Sequence, residues 1–258
     1  MRTFAIVAVT MLLTAGTTRA TMTLTDSFDL GISPSRWSTW TVFEAAGSSW
    51  TIAAPDASGR LRIFKNADSD AATDKNESDA FAGARFTLLG DFDVSVRVDL
   101  LTFPTGTFTG ANEALLRLVT NNGQTFFETY AAAGQQYSVG AFSASTASAD
   151  VFGAASAIPT LSSATLGVSR SGATMTAWFD VGAGRQVLGD ATANDYLGSA
   201  EIHLMGAQVC AAPQGRPHTA MDIAFDDFTV TAETIVPEPA TLSLLVLGGL
   251  AMLKRWRQ

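Results

Sequence analysis

The stretch Asp-Phe-Asp-Val-Ser-Val-Arg-Val-Asp-Leu, residues 91–100, decides the fold class of this chain. Its apolar members are Phe92, Val94, Val96, Val98 and Leu100, and they alternate without error with polar residues. A period of two predicts a β-strand with one face on a core and the other in water, as in an antiparallel sheet.

Shorter runs of strand character lie on both sides of residues 91–100. They are Ser49–Ala54, Arg60–Lys65, Ala114–Val119, Thr125–Tyr130, Ala164–Arg170, Ala173–Asp180, Ala200–Met205 and Met221–Val230. Asn121-Asn122-Gly123 and Arg170-Ser171-Gly172 are typical of hairpin turns. Sustained helical spacing is missing, which favours a sandwich or jelly roll. We interpret the Ala/Ser-rich stretch Ala141–Ala164 as a long mobile loop.

The composition excludes some classes of function. The 258-residue chain has a formal net charge of −8, and the two terminal segments described below hold five of its 16 basic residues but only one of its 24 acids. The remainder is therefore strongly acidic, which argues against nucleic-acid binding. Cys210 is the only cysteine, so an intramolecular disulfide and a cysteine-cluster metal site are excluded.

The N-terminus, residues 1–20, has the pattern of a cleavable signal peptide. Met1-Arg2-Thr3 is a short positive region, Phe4–Ala15 is apolar, and Thr18-Arg19-Ala20 places small residues before the expected cut. The apolar run is short for a transmembrane helix, which needs roughly 20 residues. The sequence predicts export and cleavage by signal peptidase, and the alternative is an uncleaved anchor.

The C-terminus, residues 235–258, combines three features in order. Val236-Pro237-Glu238-Pro239 is held extended by its prolines, Leu242–Leu253 is apolar, and Lys254–Arg257 is basic. This order resembles the PEP-CTERM sorting signal of bacteria with an exopolysaccharide-rich envelope. The resemblance implies an exosortase that cleaves near Pro237-Glu238-Pro239. The alternative is an ordinary membrane anchor, but Ala240–Leu253 as a helix would rise only about 21 Å.

Residues 21–234 are left as one domain, and three short motifs in it resemble a concanavalin A-like (laminin-G-like) jelly roll. They are Asp26-Ser27-Phe28-Asp29 with Ser33-Pro34-Ser35-Arg36-Trp37, then Gly90-Asp91-Phe92-Asp93-Val94, and Phe225-Asp226-Asp227-Phe228. The last motif needs a β-bulge near Asp226-Asp227, because the apolar residues before and after this pair have opposite parity along the strand. We therefore expect an all-β antiparallel sandwich, flanked by an N-terminal signal helix and a short C-terminal hydrophobic helix.

The resemblance also implies a structural Ca²⁺ site where the first and last strands meet. Asp26, Asp226 and Asp227 are the matching residues, and their alternative roles are turn capping or plain solvent exposure. A second acid-rich segment, Asn66–Ala80, is interpreted as a solvated loop, and the alternative is that its acids gather around Ca²⁺. Its acids are Asp68, Asp70, Asp74, Glu77 and Asp79.

The sequence offers few candidate catalytic and ligand-binding residues. Glycosidases with related jelly rolls carry Glu-x-Asp-x-x-Glu, and the nearest match here, Glu77-Ser78-Asp79, has Ala82 at the position of the second glutamate. We therefore predict that the protein is not an enzyme. Tryptophans in β domains are usually core residues, and Trp40 is the one that we expect to be exposed for stacking on a sugar.

Together these features predict an exported, non-catalytic protein. It passes through the inner membrane and ends in the cell envelope, on the outer surface or in the extracellular matrix. There its jelly roll binds glycan, such as polysaccharide of the envelope, or acts structurally. The alternatives are a glycoside-active enzyme with an unrecognised site and a surface protein that serves only as matrix material.

Overall fold

The computed structural model describes residues 21–43, 50–68, 77–106, 110–120, 125–144, 152–209 and 218–237. These residues form two antiparallel sheets and one 3₁₀ turn, Asn194–Leu197, which confirms the all-β prediction. The predicted helices of the two termini lie outside the described residues. The strands are β1 (Met22–Asp26), β2 (Trp37–Phe43), β3 (Trp50–Ala53), β4 (Leu61–Lys65), β5 (Glu77–Ala84), β6 (Phe86–Thr102), β7 (Ala111–Thr120), β8 (Thr125–Ala133), β9 (Tyr137–Ala144), β10 (Phe152–Ile158), β11 (Ser163–Ser171), β12 (Thr174–Asp180), β13 (Gln186–Thr192), β14 (Glu201–Val209) and β15 (Met221–Pro237).

The two sheets pack face to face. The first has the order β13-β12-β11-β6-β15-β4-β3, and β1 pairs with residues 228–232 in the C-terminal half of β15. The second has the order β10-β9-β8-β7-β14-β5-β2. Strand β6 contains the alternating stretch, and Val94, Val96 and Val98 are fully buried between the sheets. The period-two pattern thus placed the core face of a central strand correctly.

Aromatic side chains fill the core near β1 and β2. The Trp37 ring lies 5.1 Å from that of Phe228 and 5.5 Å from that of Phe28, measured between centroids. Trp37, Trp50 and Trp178 are all buried, as expected for tryptophans of a β domain. The side chain of Trp40 lies outside the described part of the chain.

Two segments interpreted as loops contain strands. The stretch 141–164 holds the end of β9, all of β10 and the start of β11, so the mobile-loop prediction is wrong there. Its residues are small, yet β10 is an edge strand that needs hydrogen bonds from only one neighbour, β9. The acid-rich segment 66–80 likewise runs into β5, which places Glu77 and Asp79 on a strand.

The bulge expected near Asp226-Asp227 is present. The pairing of β15 with β6 shifts register between Asp226 and Thr229, and Asp227 has a φ of 49°. The Arg170-Ser171-Gly172 turn is also confirmed, because β11 and β12 pair across it and Gly172 has a φ of 57°. Positive φ values explain why Asp and Gly occupy these positions.

The first and last described strands lie side by side. Strand β1 runs antiparallel to β15, with Met22 opposite Ala232 and Asp26 opposite Phe228. Strand β15 continues to Pro237, where Val236 and Pro237 pair with Thr87 and Phe86 of β6. Within the described ranges, no helix has the length and apolarity that a bilayer crossing requires.

Candidate functional site

The face of the second sheet that points away from the core carries an unusual set of side chains, and we call it the outer face. Alternation along β5 defines it: Ala80 and Ala82 belong to the core between the sheets, whereas Asp79 and Phe81 have the opposite parity. A separate apolar cluster of Leu115, Met205 and Ala207, with Phe81, Tyr130 and Val209 packed on it, lies on this face.

The strand register arranges the outer face in three rows across the sheet. An acidic row joins Asp79, Ala207 and Glu113. An aromatic row joins Phe81, Met205, Leu115 and Tyr130. A charged row joins His203, Arg117, Glu128 and Phe142. Residues directly opposite each other on neighbouring strands have Cβ atoms about 5 Å apart, so each row is a continuous strip of side chains.

Two acids of the outer face are buried, and Glu128 is also held by an ion pair. Asp79 is 3% exposed and Glu128 is 5% exposed. Arg117 donates from Nε to Glu128 Oε2 over 2.6 Å, and its guanidinium lies 4.8 Å from the Phe126 ring centroid. Buried charges are tolerated only when they are paired, so this ion pair fixes both side chains in place.

Histidine and tyrosine of the outer face are both uncharged at neutral pH. His203 stacks on Phe81 with ring centroids 4.4 Å apart. Burial, reinforced by the charge of Arg117, lowers the pKa of His203 to about 4. Burial, reinforced by Glu113 and Glu128, raises the pKa of Tyr130 to about 12. The rows therefore combine carboxylates, neutral hydrogen-bonding groups and ring faces.

The His203 environment predicts a loss of stability in acid. The folded pKa of about 4 lies below the ordinary value of 6.5, so the unfolded chain binds the proton more readily between these values. We expect the free energy of unfolding to fall as pH drops from about 6.5 to about 4, by up to about 3 kcal/mol from this group. Urea titrations at several pH values measure the slope. If the unfolding free energy of His203→Gln depended on pH as strongly as that of the wild type, the assignment of this effect to His203 would be contradicted.

The backbone of Trp40, the residue predicted to stack on a sugar, lies at the edge of the second sheet. Trp40 of β2 pairs with Phe81 of β5. Its side chain lies outside the described residues, so sugar stacking by Trp40 stays a prediction.

The predicted metal residues Asp26 and Asp227 line one pocket where β1 meets β15. This corner pocket has a volume of about 790 Å³ and is also lined by Asp29 and Arg36, whereas Asp226 is not among its lining residues. Asp26 uses both oxygens internally: Oδ1 accepts from the Phe28 N–H over 2.9 Å and Oδ2 from the Trp37 indole over 3.0 Å. Its role is therefore to cap a turn and to satisfy a buried indole.

The adjacent acids of the bulge also find an internal arrangement. The Asp227 N–H donates to Asp226 Oδ1 over 2.8 Å. Burial raises the pKa of Asp226, and the charges of Asp227 and Asp29 act in the same direction. Among the described residues, three or more His, Cys, Asp or Glu side chains are nowhere gathered as a cation would require. The Ca²⁺ site stays a prediction: each carboxylate oxygen of Asp26 accepts one hydrogen bond and keeps a further lone pair.

The acids of segment 66–80 lie in different environments. Asp68 is bound by the buried Lys65 ammonium at 2.7 Å and by His218 Nδ1 at 2.5 Å. Lys65 also donates to Gln208 Oε1 over 2.8 Å, which links the first sheet to the second. Asp79 belongs to the outer face, and Asp70 and Asp74 lie outside the described residues. A single solvated acidic loop is therefore wrong for Asp68 and Asp79.

The chain is similar to several solved structures. No protein-family model and no curated protein sequence matches the chain. An endo-1,3-β-glucanase from Streptomyces sioyaensis is similar with a TM-score of 0.55 and 12% identity, over 84% of this chain and 97% of that one. Winged bean acidic lectin, complexed with methyl-α-D-galactose, gives a TM-score of 0.53 and 10% identity, over 82% and 98%.

A third similar structure belongs to a longer chain. Bacteroides ovatus GH43B, from a xyloglucan utilisation locus, gives a TM-score of 0.52 and 17% identity over 79% of this chain, which spans only 38% of the GH43B chain. Identities this low carry the fold and nothing more. With two packed antiparallel sheets in the order described above, the chain has the concanavalin A-like β-sandwich, or jelly-roll, fold.

Proposed function

We propose that the protein is exported to the cell envelope and binds glycan there, without hydrolysing it, through the outer face of the second sheet. The observation that carries this proposal is the aromatic row, in which the partly exposed rings of Phe81 and Tyr130 flank the buried Met205 and Leu115, between a row of acids and a charged row. Ring faces for apolar contact beside a few oriented polar groups are typical of small-molecule sites.

Similar structures support the ligand class. They include the endo-1,3-β-glucanase and the galactoside-bound lectin, and also a κ-carrageenase of Pseudoalteromonas carrageenovora in complex with an oligosaccharide. Both enzymes and a lectin use this fold, so the fold supports a glycan ligand but does not choose between binding and hydrolysis.

The geometry of β5 supports binding without hydrolysis. Glu77 and Asp79 share one parity along the strand, and position 82 has the other. The register of β5 with β14 runs without a shift from Glu77 to Gly83, and Ala82 is fully buried in the core. A glutamate at position 82 of this strand would therefore not join Asp79 on the outer face.

Substitutions in the aromatic row test the binding surface. We expect Phe81→Ala to weaken binding by about tenfold, or about 1.4 kcal/mol, because it removes a ring face from the row. Trp40→Ala changes the position that continues this row by backbone register, and we expect a similar effect from the loss of the predicted sugar-stacking residue. A glycan array with and without Ca²⁺ would select the ligand, starting from β-1,3-glucan and κ-carrageenan oligosaccharides. Isothermal titration would then give the dissociation constants.

The matched control is Val187→Ala, which shortens an exposed side chain on the first sheet. It should leave the dissociation constant unchanged. If the two row variants bind as well as the wild type while keeping its melting temperature, the outer face is not the site. Asp227→Ala belongs in the same series, because a loss of Ca²⁺-dependent binding there would support the predicted cation site. An array with no ligand in either condition would favour the purely structural alternative.

A second candidate function rests on the acidic row. Strands β5 and β7 both pair with β14, so the Cα atoms of Asp79 and Glu113 are about 10 Å apart across Ala207. Two carboxylates at such a spacing are compatible with inverting glycoside hydrolysis. Release of reducing ends from β-1,3-glucan, abolished by Asp79→Asn and by Glu113→Gln, would establish this enzyme and overturn the non-catalytic proposal.

The export route is proposed from the sequence. Strand β1 begins at Met22, after the predicted signal peptide, and β15 reaches Pro237 in the predicted exosortase motif. The proposed partners are therefore signal peptidase, exosortase and envelope polysaccharide.

The mature mass tests this route. We expect the intact mass of the protein recovered from the cell surface or medium to correspond to a chain that starts near Thr21 and ends near Pro237. Cell fractionation followed by mass spectrometry makes the measurement. A membrane-bound chain that still contains Trp256 would support a plain anchor, and a cytosolic chain that keeps residues 1–20 would overturn the proposal.

A further inference from the structure

Strand β1 begins and strand β15 ends on the same side of the molecule. Because β1 is antiparallel to β15, Met22 lies opposite Ala232, and β15 runs only five residues further to Pro237. We call this side the exit end and define it by Met22 and residues 86–91, 192–201 and 233–237. Residues 192–201 belong to it because Leu88 bridges to Ala200.

We infer that the exit end lies against the membrane surface as long as the chain keeps its C-terminal hydrophobic segment. This inference rests on the proposed export route, in which Leu242–Leu253 is inserted in a bilayer. Only residues 238–241 separate Pro237 from Leu242. The five steps from the Pro237 Cα atom to the Leu242 Cα atom span at most about 18 Å when fully extended. The exit end therefore stays within about 18 Å of the hydrocarbon boundary, and the opposite end of the sandwich cannot turn towards the lipid.

Exposed apolar side chains at the exit end fit this placement. Met22 is 49% exposed, Leu89 is 39% exposed and Leu197 is 57% exposed. Leu89 pairs with Thr234 close to the end of β15. Leu197 belongs to the 3₁₀ turn, which Arg170 ties to Gly90 by donating to the carbonyls of Tyr196, Gly198 and Gly90. All three side chains would meet the interfacial region.

Charge does not drive this contact. The exit end also carries Asp91, Glu201 and Glu233, whose carboxylates repel anionic headgroups. Three apolar side chains beside three acids would not hold a free protein on a bilayer, so the contact depends on the covalent tether. Cleavage near Pro237 would remove the tether and release the sandwich, which makes the processing step also the release step.

Depth-dependent quenching in proteoliposomes tests the inference. The full-length chain, with Cys210→Ser as background, would be reconstituted in vesicles of phosphatidylethanolamine and phosphatidylglycerol. Single cysteines introduced by Leu89→Cys and Leu197→Cys report on the exit end. Leu101→Cys and Val187→Cys are matched controls, since both side chains are exposed and Leu101 lies about 40 Å from Leu89 along β6. Each cysteine carries an environment-sensitive fluorophore, and headgroup-labelled nitroxide lipid is the quencher.

We expect quenching at positions 89 and 197 to exceed that at position 101 at least threefold, an estimate based on the roughly 40 Å between positions 89 and 101 along β6. Position 187, about 17 Å along β13 from Thr192 of the exit end, should give an intermediate value. Equal quenching at all four positions in vesicles that carry the protein on flotation would overturn the orientation and leave the anchored route intact. Failure of the protein to float with the vesicles would overturn the anchor itself, and the inference with it.

Discussion

Replacement of Arg170 by methionine is expected to destabilise the sandwich by about 3 kcal/mol or more. Arg170 is 3% exposed, and its guanidinium donates to three backbone carbonyls, those of Gly90, Tyr196 and Gly198. It also lies 4.6 Å from the Phe92 ring centroid. Methionine matches the apolar length of the side chain but leaves all three carbonyls without their donor.

Equilibrium unfolding in urea measures this change, and Arg185→Met is the matched control. Arg185 is 43% exposed, pairs with Asp93 and stacks on Trp178, so its loss should cost about 1 kcal/mol or less. Arg170→Lys should remain well below wild-type stability, since one ammonium cannot reach all three carbonyls. Equal stability of Arg170→Met and Arg185→Met would show that the carbonyl contacts contribute little.

The fold was predictable wherever a strand has one apolar and one polar face. Val94, Val96 and Val98 of β6 and the bulge at Asp226-Asp227 follow from parity alone. Strand β10 was missed because five of its seven residues are Gly, Ala or Ser, and an edge strand needs only one hydrogen-bonded neighbour. Strand β5 was missed because its core positions are alanines, which give no strong hydrophobic signal.

The outer face was less predictable than the fold, for a topological reason. Glu113 and Arg117 share a parity along β7, as do Glu128 and Tyr130 along β8, so each strand alone could have indicated a polar face. Asp79, however, joins Glu113 only because β14 lies between β5 and β7. Contacts between residues so far apart in sequence follow from the sheet order, which local patterns do not contain.

The corner pocket illustrates the limit of arguing from residue type. Asp26 and Asp227 were correctly expected near the junction of the first and last strands, and both line the pocket there. The sequence does not reveal that Asp26 accepts hydrogen bonds from Phe28 and Trp37. An acid at a predicted ligand position can therefore be committed to the protein's own turn and core.

Substitution of Gly167 by alanine is expected to have an effect similar to that at Arg170. Gly167 lies opposite Trp178 in the β11–β12 hairpin, and a Cβ atom at position 167 would lie 2.0 Å from Cε2 of the indole. Trp178 is 7% exposed, and the Arg185 guanidinium lies 4.2 Å from its ring centroid. Because the indole cannot move away cheaply, overpacking should cost about 3 kcal/mol, measured as a lower urea midpoint.

Gly198→Ala is the control for the loss of glycine as such. Nothing lies within 4 Å of a Cβ atom there, and Gly198 has a φ of −71°, which any residue adopts. Its stability should stay within about 0.5 kcal/mol of the wild type.

A double-mutant cycle then separates the steric cause from a general weakening of β11. In a Trp178→Ala background the indole is gone, so Gly167→Ala should cost less than about 1 kcal/mol. If the cost were the same in both backgrounds, the strain would lie in the β11 backbone and not in the contact with Trp178.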